Sequence, residues 1–287
     1  MRGLGTVSIA LALFVRAAPA TADDSFSYID SPASLPDANV AIVDTRPGEA
    51  CRERSLKGAR CLSPDDFLGP HRRLAAVPDI LWVLGTAGLT GEETVLVVGD
   101  EPTARDFVAG LLHLSGQRQV AVLRARFSRG VGLPPDSLGQ GTTRGMVREK
   151  IFQAPARDDP WVLRNELAAR LTKTPTVLLD GRGESEFWGE TVRAARGGRL
   201  PGAESLPAVT VRAALGRGER PALPVGDPVV YAHDAVDGIA FFTLLRAGAG
   251  VPARVYPGGW AEWAADGGLP AGAATYPDWM RPAAERA

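Results

Sequence analysis

Several things are scarce in this 287-residue chain, and each shortage narrows its function. It has only two cysteines, Cys51 and Cys61, set ten positions apart. A redox-active dithiol ordinarily has a tighter spacing, with two residues between the thiols. Neither charge sign is in excess: 32 Lys and Arg against 33 Asp and Glu give a net charge of -1. With no Lys/Arg-rich block and no aromatic-basic stripe, nucleic acid is not an expected partner. No serine lies in a Gly-x-Ser-x-Gly elbow, and Leu138 to Gly145 (LGQGTTRG) lacks the flanking strand and helix that a phosphate loop needs. Beyond residue 22 no stretch is apolar enough to span a membrane.

The first 22 residues follow a different logic. Arg2 opens a short positive segment, Leu4 to Val15 is apolar, and Ala20-Thr21-Ala22 has the small-x-small form of a cleavage site. This is the pattern of a secretory signal peptide cleaved after Ala22, because Arg16 and Pro19 end the run short of the ~20 apolar residues a span needs. The expected location is periplasmic or secreted. In an oxidising compartment Cys51 and Cys61 are most simply a structural disulfide, contributing roughly 2 to 3 kcal/mol by the loop-entropy model.

The length and a hydrophobic share of 45% fit two domains with proper cores. In chain order, Asn39 to Thr45 reads as a strand ending in Asp44, Leu62 to Leu74 and Ile80 to Leu84 as short helices, and Thr94 to Val98 as a buried strand. A helix with the stripe Phe107, Leu111, Leu114 follows, then a strand over Val120 to Leu123 and a turn over Phe127 to Gly132. Residues 134 to 159 have no apolar period and read as a connection. A helix over Trp161 to Leu171 and a strand over Thr176 to Asp180 then restart the pattern.

The chain is organised around Val229 to Leu245, a buried strand, a polar loop and an apolar helix carrying Ile239, Phe242 and Leu245. Such a loop brings backbone N–H groups and a helix N-terminus together, a common place for chemistry in α/β proteins. Its residues are Ala232, His233, Asp234, Ala235, Val236 and Asp237. Landmarks recur between the halves at offsets of about 132 to 144: Asp44 with Asp180, Gly58-Ala59 with Gly202-Ala203, Leu123 with Tyr256. The chain therefore reads as two copies of one α/β unit.

The second half carries three motifs: LLDGRGESEFWG with its Asp180-x-Arg182, GGRLPGAESLP over Gly197 to Pro207, and YPGGWAEW over Tyr256 to Trp263. Together they resemble the rhodanese or thiosulfate sulfurtransferase family in its tandem two-domain form. The first half is similar but worn, keeping Asp44-Thr45-Arg46 and Leu56-Lys57-Gly58-Ala59. The resemblance implies an α/β fold of two tandem rhodanese-like domains, each a mostly parallel sheet flanked by helices on both faces. The expected parts are a signal peptide (1–22), an N-terminal domain (23–134), a linker (135–159), a C-terminal domain (160–275) and a tail (276–287).

Active members place a cysteine first in the loop after the fourth strand of the second domain, where backbone N–H groups lower its pKa and hold a persulfide anion. Here that position is Ala232, and the matching first-half position falls at Gly99 or Asp100. A methyl group can neither ionise nor carry sulfur. Asp234 and Asp237 add negative charge, Asp237 being read as a helix N-cap. By the same resemblance Asp180, Arg182 and Trp260 are candidate binding residues, Arg182 and Glu184 forming a network that braces the loop. Trp260 and Trp263 are also read as packing residues.

The expectation is an exported, catalytically silent sulfurtransferase homologue, a binding or interaction module whose interdomain cleft takes a small anion or a protein partner. One alternative is an active thiosulfate sulfurtransferase; a weaker one is a thiol-disulfide protein using Cys51 and Cys61. No cofactor is expected, and no metal. His233, Asp234 and Asp237 could offer three ligands, but a loop ending in an N-cap is the simpler account, and His71 and His113 stand alone.

Overall fold

The computed structural model describes residues 24–35, 39–129, 133, 135–173, 175–224 and 226–272. The signal-peptide reading and the 276–287 tail lie outside them. Its strands are β1 Ser25–Ile29, β2 Val40–Asp44, β3 Ser55–Leu56, β4 Arg60–Cys61, β5 Thr94–Val98, β6 Gln119–Leu123, β7 Leu138–Gly139, β8 Thr142–Thr143, β9 Leu178–Asp180, β10 Ala203–Ser205, β11 Val229–Tyr231 and β12 Arg254–Val255. Its α-helices are α1 Gly48–Glu53, α2 Val77–Thr86, α3 Pro102–Leu114, α4 Arg164–Lys173, α5 Glu184–Phe187, α6 Ala208–Gly216, α7 Ala235–Thr243 and α8 Gly259–Ala265.

The fold is α/β, with mostly parallel sheets flanked by helices. The first sheet runs β1-β6-β5-β2-β4-β8 and the second β10-β9-β11-β12, each parallel throughout. All five residues of β5 (TVLVV) and all three of β11 (VVY) are buried, as expected of central strands covered on both faces. Trp161 bridges Val255 in parallel, so the second sheet repeats the first, beginning with an edge strand reduced to one bridge.

Residues read as a bare connection also build the sheets. β8 extends the first sheet by pairing with β4, and β7 makes an antiparallel pair with β3. Two-residue strands carry no hydrophobic period, so their pairing is invisible in sequence. Leu62 to Leu74 holds two short 3-10 turns, Pro64–Phe67 and Pro70–Arg72, and the helix read over Trp161 to Leu171 begins at Arg164.

The halves are joined through α3 and α7. One face of α3 packs Phe107, Leu111 and Leu114 into a core that also contains Ile239, Phe242 and Leu245. Gly110 permits this approach: a Cβ there would lie 2.7 Å from Ile239 Cγ2. The hydroxyl of Thr243 donates across the seam to the Asp106 carbonyl (2.8 Å). A second core gathers Leu200, Tyr231, Tyr256, Trp260 and Trp263 behind the candidate loop.

Candidate functional site

The loop after β11 is stitched to α8. The carbonyls of Ala232 and His233 accept from Trp260 N and Ala261 N, both at 2.9 Å. Gly259, with φ +59°, makes this possible, since a Cβ would sit 2.7 Å from each of those carbonyl oxygens. The cap of α7 is Asp234, not Asp237: its Oδ1 accepts from Val236 N (2.9 Å) and Asp237 N (3.1 Å). Two aspartates three positions apart both suit a helix start, and only the backbone decides which residue lies outside it. Asp237 instead stands in the first turn, where burial, then the Asp234 charge, raises its pKa.

A cavity of about 170 Å³ lies against this loop, lined by Arg182, Glu186, Arg212, Ala232, Asp237 and Phe241 among others. Ala232 is 2% exposed and lines this cavity. Arg182 grips Asp180 through Nε (3.0 Å) and Nη2 (2.6 Å), donates to the Gly198 carbonyl (2.8 Å), and lies 5.0 Å from the Trp260 ring centre. Tyr231 completes the brace by donating to Asp180 (2.6 Å). Asp180 and Trp260 are thus buried supports, and of the three candidate binding residues Arg182 lines the cavity.

Glu184 is exposed, and Glu186 holds the place next to the loop instead. Glu186 Oε1 is 3.4 Å from His233 Nδ1, and its Oε2 pairs with Arg193 (3.1 Å). Arg212 reaches across the seam to the buried Asp106. Sequence reasoning missed Glu186 and Arg212. The first sits in the acidic-aromatic segment already noticed; the second had no local signal.

The first half repeats the arrangement beside a cavity of about 610 Å³, lined by Thr45, Arg46, Ser63, Asp100, Glu101 and Val236 among others. Arg46 pairs with Asp44 (2.7 Å), which also accepts from Ser55 (2.6 Å), the counterpart of the Tyr231 contact. The loop after β5 is closed as the other is: Glu101 caps α3 by accepting from Ala104 N (2.7 Å), and Asp100 accepts from Ser128 N (2.6 Å). Thr103 borders both cavities.

The two cysteine sulfur atoms are elsewhere. Cys51 and Cys61 form a disulfide, with Cα atoms 5.8 Å apart, 0% and 4% exposed, and there is no free cysteine among the described residues. Gly141 lies against the bond, where a Cβ would come within 2.8 Å of the Cys61 sulfur.

Residues 163–266 match the family model of the rhodanese-like domain. This chain carries a rhodanese-like domain. Solved structures extend the likeness over most of the chain. Tum1 from Saccharomyces cerevisiae superposes with a TM-score of 0.67 at 18% identity, covering 85% of this chain and 96% of that one. A probable thiosulfate sulfurtransferase gives 0.56 at 28% identity, covering 83% and 98%. YnjE gives 0.66 at 19% identity, covering 83% and 63%, so this chain spans under two thirds of that protein. No curated protein gives a match.

Proposed function

We propose that this is an exported rhodanese-like protein of two tandem units in which sulfur transfer has been replaced by binding in the cleft between them. One observation supports the reading: beside Ala232, the position where the resemblance would put the sulfur carrier, the Val236 and Asp237 N–H groups are already taken by the Asp234 carboxylate. A persulfide or thiosulfate would meet a carboxylate where it needs donors.

The charge of the cleft argues for the opposite kind of ligand from the small anion that the resemblance suggests. Among the described residues, Asp100, Glu101, Asp234 and Asp237 have no ion-pair partner. Arg46 and Arg182 are held by their own aspartates. An ammonium or guanidinium group, as on a basic side chain of a partner protein, suits that balance.

The deciding assay is transfer of sulfur from thiosulfate to cyanide. Wild type is expected to show no turnover, Ala232→Cys little, and Ala232→Cys with Asp234→Gly a clear gain, because only the double variant restores both thiol and free donors. Enzyme-like turnover by wild type, abolished by Cys61→Ser, would sink the proposal and establish the active-transferase alternative. The thiol-disulfide alternative needs an accessible bond, and this one is buried; a reduction potential below about -300 mV would mark it as structural. The exported location is tested by the N-terminal residue of protein recovered from the periplasm or medium, expected to be Asp23. No helix among the described residues is long and apolar enough to cross a membrane.

A further inference from the structure

A third concavity, of about 320 Å³, opens along the seam at Pro102 and Arg105 of α3. Tyr28 of β1 and the segment after β6 contribute from the first half; Arg212 and Leu215 of α6 and Leu244 contribute from the second. Its charge is of one sign, whereas the cleft mixes arginines with carboxylates. Five arginines line it, Arg105, Arg124, Arg126, Arg129 and Arg212, and no acidic side chain does.

Only two carboxylates offset these five guanidinium groups. Asp106 serves both Arg105 (3.4 Å) and Arg212, and the exposed Asp30 pairs with Arg124 (2.9 Å). Among the described residues Arg126 and Arg129 make no ion pair, and both are exposed. The hydroxyl of Tyr28 is buried without a hydrogen-bond partner, and the Arg124 guanidinium lies 5.2 Å from its ring centre. Burial, then the Asp106 charge, holds that phenol well above its ordinary pKa, so it remains a proton donor. The Asp106 carboxylate stands next to that hydroxyl without a well-formed hydrogen bond, so a ligand oxygen in the pocket would compete for its proton. The remaining lining is apolar: Pro102, Ala125, Leu215 and Leu244.

We propose that this pocket binds a small organic anion with several acceptor oxygens, a phosphate or sulfonate group on an apolar body. The planar guanidinium fork matches such oxyanions in pairs of hydrogen bonds, Arg126 and Arg129 supply uncompensated charge, and the apolar wall accepts the rest of the molecule. The site shares Arg212 with the cavity at Ala232 but opens on the other side of it, among Tyr28, Arg126 and Arg129, and stands whether or not the silent-enzyme reading does.

The test is calorimetric titration of the full chain with phenyl phosphate, benzenesulfonate and inorganic phosphate. Saturable binding of both aryl anions is expected, tighter than inorganic phosphate and weakening as salt rises. Arg126→Ala with Arg129→Ala should weaken binding about tenfold or more, since each removes charge-assisted hydrogen bonds to the oxyanion. Both side chains are exposed, so circular dichroism is expected to report an intact fold. Tyr28→Phe should weaken binding further, and Asp237→Asn should leave it unchanged. Absence of saturable binding, or full affinity in the double arginine variant, would overturn the site. Equal affinity for inorganic and phenyl phosphate would overturn the apolar wall's part in it, and a clear gain in affinity in Asp237→Asn would return the anion to the cleft, where that carboxylate repels it.

Discussion

His113 is the residue whose ionisation should be felt most. It is 6% exposed, stacks on Phe26 at 4.4 Å between ring centres, and neither ring nitrogen has a hydrogen-bond partner. Burial, helped by the Arg157 and Arg246 charges, pushes its pKa from 6.5 down to about 3. The unfolded chain therefore takes up this proton first as pH falls. The contribution is complete above pH 6.5 and drains away toward pH 3, by at most about 5 kcal/mol for a shift of that size. His113→Phe keeps the stack and removes the proton. Melting curves from pH 7.5 down to 4 should separate the two proteins increasingly, the variant being more stable in acid; parallel curves would refute the burial argument. Asp237 has the opposite sign. Its folded pKa is raised, so its ionisation works against the fold as pH climbs above the ordinary carboxylate value of 3.8. Asp237→Asn should raise the melting temperature at pH 7 and leave it nearly unchanged at pH 3.

Among the elements, α7 shows how a short polar loop fixes what the site can hold. Asp234→Ala removes the cap and should cost about 0.5 to 2 kcal/mol in urea unfolding. The same change frees the N–H groups of Val236 and Asp237. Added sulfate should then raise the melting temperature of the variant more than that of wild type. An equal response in both proteins would mean that the capping carboxylate is not what excludes anions. The central strand of each sheet was legible from local composition: Thr94 to Val98 and Val229 to Tyr231 are unbroken apolar runs. The cap was misplaced by three residues because Asp234 and Asp237 satisfy the same local rule. β7 and β8 were passed over because two residues cannot show a period.

For the whole molecule, the seam between α3 and α7 decides whether the halves act as one body. Gly110→Ala gains about 1 kcal/mol of helix propensity but forces a methyl against Ile239, and overpacking of this kind costs about 1 to 3 kcal/mol. A lower urea midpoint is expected; an unchanged or higher one would show that the helices part easily. Some of this protein was settled by the order of its amino acids alone. The alternation of strand and helix is a local fact, carried by neighbouring side chains. The folded chain alone decided which charges face one another. Asp106 and Arg212 are 106 positions apart, and Glu101 and Asp234 close their loops only through backbone geometry. Coulomb energy and hydrogen bonding depend on distance in space, so a cleft with unpaired carboxylates and an arginine-lined pocket could come from a chain whose overall charge is nearly zero.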